Sequence, residues 1–168
     1  MVKNRAMDRQ KTTCSIRQGR RRPGSTIYGE VKLTEDYREL ATAFLRAFDE
    51  GADVFALVTD DVQVMYPKWG IANGKAGLAD LYRDLGPYLD GICHHPETFR
   101  YLVDGNEVCI SGVSSGTLKD GRTWGPDGGY SGQFCTWFTF DGALASRIWI
   151  YIDPDYVGGT NACYPWHQ

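Results

Sequence analysis

No apolar run in the 168-residue chain is long enough to cross a membrane. The longest, such as Ile148 to Ile152, fall far short of the roughly 20 residues that a bilayer requires, so a soluble protein is expected. Paired cysteine motifs are missing as well. Cys14, Cys93, Cys109, Cys135 and Cys163 are odd in number, hold no C-x-x-C spacing and follow no secretory leader. That pattern excludes a readable disulfide framework and points to a reducing, cytoplasmic setting. It also lacks the close ligand spacing of a zinc site, so no metal is expected. Cys109 and Cys135 fall inside predicted strands, where an unpaired cysteine behaves as a small hydrophobe. A phosphate cradle is absent too: Gly121 to Gly132 is rich in glycine, but no helix follows to present its amide terminus. No cofactor is expected.

Basic residues are scarce after residue 32. Residues 1–32 carry nine Lys/Arg against Asp8 and Glu30, a net +7, which leaves −10 for the remainder of a chain whose net charge is −3. The run Arg17 to Gly24 has almost no apolar periodicity and cannot bury enough surface to offset ordering entropy. A basic, solvated, disordered tail over 1–32 is the expectation. A nucleic-acid arm or a targeting leader would share the charge, yet no aromatic residue interleaves the arginines as a stacking surface requires, so a nucleic-acid partner is disfavoured.

What is present is enough apolar material, 42% with 13% aromatic, for one core, assigned to 33–168. Thr34 before Glu35 and Asp36 signals a helix start. Tyr37, Leu40, Ala41, Phe44, Leu45 and Phe48 then make one helical stripe that Gly51 ends. Asp53 begins a second, short helix through Val58. Val62, Val64 and Tyr66 alternate in a strand stopped by Pro67, a loop follows, and a third helix carries Leu78, Leu81, Tyr82, Leu85 and Tyr88. Asp80 and Asp84 lie off that stripe and read as a solvated face, not as paired catalytic carboxylates.

Beyond the third helix the period changes to two. Strands are predicted around Phe99 to Val103, Val108 to Ser114, Tyr130 to Phe140 and Ala145 to Asp153, with Asp104-Gly105 and Asp141-Gly142 as turns. The third of these strands is aromatic on both faces. One face must take the helices, and the other, with a set such as Trp137, Trp149 and Tyr151, must find other cover; a homodimer is the expected partner. Alternation alone does not decide which parity faces the helices.

This order of elements resembles the nuclear transport factor 2-like fold, particularly its SnoaL-like group. The resembling residues are Phe48 to Asp53, Thr59 to Gly70, the Gly74 helix entry and Tyr151-Ile152-Asp153, over roughly 33–156. The resemblance implies an α+β fold in which a curved antiparallel sheet forms a cone capped by about three helices. It implies an apolar pocket and activities such as cyclase, isomerase or dehydratase, alongside binding modules without chemistry. A carboxylate in such a pocket is disfavoured as an anion and becomes useful for proton transfer. Asp153 sits where the group's acid/base aspartate is expected; alternatively Asp153-Pro154 only ends the strand. Of the adjacent His94 and His95 at most one can point inward, as the partner of Asp153 or as part of a turn before Pro96. Tyr66 and Trp69, flanking Pro67, would donate to an oxyanion and wall a flat substrate, or else plug the core. Gln133 and Tyr151 complete the substrate-binding candidates. The expected function is cofactor-independent acid/base catalysis on a small apolar carbonyl or polyketide-like compound; the alternative is a non-catalytic module for hydrophobic-ligand binding or dimerisation.

Overall fold

The computed structural model describes residues 36–125 and 132–167, with only the backbone of the last. The basic tail expected over 1–32 lies outside the described residues, as does Tyr130. The described residues make one compact unit.

Helix α1 runs Tyr37–Glu50, and its stripe buries Ala41, Phe44 and Leu45. Asp36 caps it; Thr34, the expected cap, lies outside the described residues. The first helical residue is Tyr37, so only the extended residue just before it can reach back, and its carboxylate accepts the Arg38 amide at 3.1 Å. Gly51 closes the helix at φ 65°, where a side chain would be strained. Asp53 then caps a single 3₁₀ turn, Val54–Leu57. Strand β1, Val58–Tyr66, starts four residues ahead of the visible alternation. It turns through Pro67 and Lys68 directly into β2, Gly70–Asn73, where a loop was expected. Helix α2, Gly74–Leu85, buries Leu78 and Leu81 and leaves Tyr88 beyond its end. On its outer side Arg83 pairs with both Asp80 and Asp84, all of them well exposed.

Six strands follow: β3 Leu89–His94, β4 Arg100–Asp104, β5 Glu107–Leu118, β6 Thr123–Trp124, β7 Gln133–Asp141 and β8 Leu144–Ile152. Asp90-Gly91 and a register shift at that point erase the alternation of β3, which the sequence pattern therefore misses. The spatial order is β2-β1-β8-β7-β5-β3, with β4 and β6 also paired to β5. Every described pairing is antiparallel except that of β1 with β8, so the sheet is mixed and not purely antiparallel. Long β5 serves two neighbourhoods: its first half lies between β4 and β7, its second between β3 and β6. Gly116 permits this, because a Cβ there would come within 2.3 Å of the Gly91 carbonyl and still closer to the Trp124 ring.

The helices take one face. Val62 and Val64 of β1, Val108 and Ile110 of β5, Phe134, Phe138 and Phe140 of β7, and Ile148 of β8 meet α1 and α2 in one core. Full burial of a side chain such as Phe138 contributes about 1.5–3 kcal/mol. A bulge between Thr139 and Phe140 lets Ala145 join the buried set out of step with Ile148. The result is an α+β cone: a bent sheet, two α-helices and, among the described residues, four short 3₁₀ turns.

Candidate active site

Between sheet and helices the core stays incompletely filled. Phe44 and Phe48 of α1, Leu81 and Tyr82 of α2, Phe134 and Thr136 of β7 and Ile148, Ile150 and Ile152 of β8 enclose a hollow of about 60 Å³. Nearly all of its wall is hydrocarbon. Its polar groups are His94 at the end of β3, Tyr66 at the end of β1, Tyr82, Thr136 and Tyr156 from the segment after β8.

Asp49 organises the histidine. It lies on the last turn of α1, four residues after Leu45 and eight after Ala41, on the side of the helix that faces the sheet. One carboxylate oxygen accepts the His94 backbone amide at 2.8 Å and the other contacts His94 Nδ1 at 2.6 Å. Both side chains are largely buried, 15% exposed for Asp49 and 10% for His94. A carboxylate only accepts, so Nδ1 carries a hydrogen, and in the neutral ring Nε2 then holds the lone pair. Among the described residues nothing bonds Nε2. Phe134 and Phe48 meet the imidazole edge to face at 4.8 and 6.5 Å, which fixes the ring plane.

Across the same hollow, the Tyr66 and Tyr156 hydroxyls lie 2.9 Å apart. One donates to the other, and the acceptor keeps its own proton to offer elsewhere. Burial pushes both phenols upward in proton affinity, and for Tyr156 the neighbouring Tyr66 adds to it, so both remain protonated at neutral pH. Burial likewise raises Tyr82. The segment that delivers Tyr156 is held firmly. Trp124 stacks on the Tyr156 ring at 4.3 Å, and Asp155 accepts the Gly159 amide together with the amide and hydroxyl of Thr160. Those bonds, led by the Thr160 hydroxyl, hold the Asp155 carboxyl below the usual carboxylate range.

Of the seven residues singled out from sequence, the hollow brings together only His94 and Tyr66. Asp153 stands apart. Ile148, Ile150 and Ile152 face the hollow, so Asp153 falls in the opposite parity; it is exposed, and its carboxylate accepts the Asp155 amide at 2.9 Å. The expected acid/base position is thus a strand-end turn. His95 points away and bonds Ser115 Oγ at 2.9 Å. Trp69 packs at the core margin with its indole donating to Asp84 at 3.0 Å. Gln133 is exposed on the reverse of the sheet, as is Tyr151, 53% exposed. The residues that sequence reasoning missed are Asp49 and Tyr156. Asp49 left a trace: it continues the Ala41, Leu45 spacing of the buried stripe, where a carboxylate is out of place unless it has a task. Tyr156 left none, since it reaches the hollow from an irregular segment.

Among the described residues no three His, Cys, Asp or Glu side chains converge as a metal site. No described helix is long and apolar enough to cross a membrane.

The family model of the SnoaL-like domain matches residues 38–148. No curated protein matches the chain. Among solved structures, an NTF2-like protein from Burkholderia pseudomallei superposes with a TM-score of 0.59 at 16% identity, over 70% of this chain and 90% of that one. Another NTF2-like protein, from Burkholderia xenovorans, gives 0.55 at 23% identity, over 71% and 91%. An epoxide hydrolase of the LEH-like type from Mycobacterium tuberculosis gives 0.53 at 19%, over 71% and 84%. These likenesses establish a shared fold.

Proposed function

The chain belongs to the SnoaL-like domain family, and on that premise we propose that it is a cofactor-independent acid/base enzyme acting on a small apolar carbonyl or polyketide-like compound. The observation that carries the proposal is the Asp49–His94 pair, whose imidazole lines an almost wholly apolar hollow that a buried phenol pair also lines. His94 Nε2 takes a proton from the carbon next to the carbonyl. Asp49 orients the ring and stabilises the imidazolium that forms. The free hydroxyl of the Tyr66–Tyr156 pair donates to the developing enolate oxygen, in surroundings where water does not compete. Returning the proton to another atom gives isomerisation, and expelling a β-hydroxyl gives dehydration. Attack of the enolate carbon on a second carbonyl gives cyclisation.

Pockets for organic ligands occupy about 300–1000 Å³, well above the volume of this hollow, so substrate binding requires the side chains around it to move apart. A cytoplasmic location accords with cysteines that form no disulfide among the described residues.

The reverse of the sheet supports a homodimer. Ile71, Met65, Trp149, Trp137, Cys109 and Leu102 are consecutive register partners across six strands, an apolar belt on the solvent side. Leu102 is 74% exposed and Trp137 40%. A second copy of the chain laid across this belt would cover it.

The test is proton exchange. A bicyclic aromatic ketone such as 2-tetralone is incubated in heavy water and its α-proton signal followed by NMR. The wild type is expected to speed the exchange, His94→Gln to abolish the acceleration, and Asp153→Asn to preserve it. Binding of the ketone without exchange would instead establish the non-catalytic ligand-binding module.

A further inference from the structure

Two thiols stand against each other on the solvent side of the sheet. Cys109 of β5 and Cys135 of β7 place their sulfurs 3.1 Å apart. The strands are directly paired, Cys109 opposite Trp137 and Cys135 opposite Ser111, so the cysteines are diagonal neighbours on one face. Both are half-buried. A cysteine that merely fills space turns into the core, as Val108, Ile110, Phe134 and Thr136 do on these same strands. This pair turns the other way, and each sulfur has the other as its neighbour. A disulfide has an S–S length of about 2.05 Å, so closure brings the sulfurs about 1 Å nearer, and because diagonal positions on paired strands lie about 7–8 Å apart the backbone of β5 and β7 adjusts with them.

We propose that Cys109 and Cys135 form a reversible two-electron oxidation site, closing an intramolecular disulfide across β5 and β7 when a hydroperoxide reaches the outer face of the sheet in a chain whose belt no second copy covers. The Cys135 thiolate attacks one peroxide oxygen. The O–O bond breaks, the alkoxide leaves and takes up a proton as the alcohol, and Cys135 becomes a sulfenic acid. The Cys109 sulfur then attacks that sulfenic sulfur; the S–S bond forms, the S–O bond breaks, and hydroxide leaves with the Cys109 proton as water. Two thiols and one hydroperoxide thus yield one disulfide, one alcohol and one water. Burial, together with the contact to Cys135, pushes the Cys109 thiol up to about 11.

The site lies directly behind the wall of the hollow. Phe134 and Thr136, the neighbours of Cys135 in sequence, project from the opposite side of the same strand. Closing the bridge fastens the β5–β7 register without adding an atom to the hollow, and it does so beside Trp137.

The test treats the folded, reduced, full-length protein with tert-butyl hydroperoxide, blocks residual thiols and maps the peptides by mass spectrometry. A monomer lighter by two hydrogens is expected, with residues 109 and 135 in one linked peptide pair and full return to the starting mass on thiol reduction. Cys109→Ser leaves Cys135 as an unresolved sulfenic acid that a dimedone-type reagent captures; the wild type gives little such capture. Tryptophan emission falls on oxidation in the wild type and is unchanged in either serine variant. Separate stable oxidation of both sulfurs in the wild type would overturn the proposal. So would a bridge to Cys14, Cys93, Cys163 or another copy of the chain. Thiols that stay reduced in the folded protein while the unfolded chain reacts would overturn it equally.

Discussion

The two faces of one sheet are made from alternate residues of the same strands, yet they obey different rules. Along β7, Phe134, Thr136, Phe138 and Phe140 turn inward and are at most 5% exposed, while Gln133, Cys135 and Trp137 turn outward. The inner set packs against the helices and leaves a small hollow lined by one imidazole that one carboxylate anchors. The outer set also carries aromatic and sulfur groups but stays partly or fully exposed. Hydrophobicity therefore does not distinguish the faces; what covers them does.

The contrast breaks first at His94. Replacement by Gln is expected to lower proton-exchange activity by about 10²–10⁴-fold while the circular dichroism spectrum is retained, because general acid/base catalysis contributes on that scale. An unchanged rate would remove the inner face from the chemistry. Next comes a matched pair of neighbours on β7. Phe138→Ala, with the side chain fully buried, should cost about 3–5 kcal/mol in urea unfolding. Trp137→Ala, one residue away and facing out, should cost far less in the dilute monomer and instead weaken self-association in sedimentation equilibrium. Equal losses of stability would mean that the two faces are not distinct.

A smaller effect sharpens the role of the phenol pair. Tyr156→Phe keeps the ring stacked on Trp124 and deletes one hydroxyl, for a stability loss of about 0.5–1.5 kcal/mol in thermal or urea unfolding. The smallest effect concerns acid. Asp155 has a depressed folded-state carboxyl, so its contribution is complete above its unfolded value and is lost as pH falls through the lower folded one. Hydrogen exchange at the Gly159 and Thr160 amides should accelerate only below about pH 4, and Asp155→Asn should flatten that rise. Acceleration already near neutral pH would point to a different anchor for the segment.

Much of the scaffold was legible because local chemistry repeats. The α1 stripe with its glycine stop, the Asp53 cap and the Asp-Gly turns each depend on residues close together in sequence, and each stands where the pattern placed it. Strands β2 and β3 were not legible. Four residues after a proline turn carry too little alternation, and Asp90-Gly91 interrupts the other. The parallel pairing of β1 with β8 joins segments too distant for any local signal. For the site, residue type and position singled out His94 and Tyr66, which line the hollow, together with Asp153, which lies outside it. The inward or outward aim of Asp153 depends on the parity of β8, and two alternating sets of large residues left that parity undecided.

By itself, the sequence determined the class of fold and its sheet-with-helices arrangement, since both follow from periodicity, caps and turns. Tertiary structure alone decided which face of the sheet is dry, and with it the exchange of Asp153 for Asp49 as the carboxylate beside the histidine. The reason is geometric. Asp49 and His94 are 45 positions apart in the chain and meet at 2.6 Å only because the last turn of α1 packs over the end of β3, a contact encoded by neither segment separately.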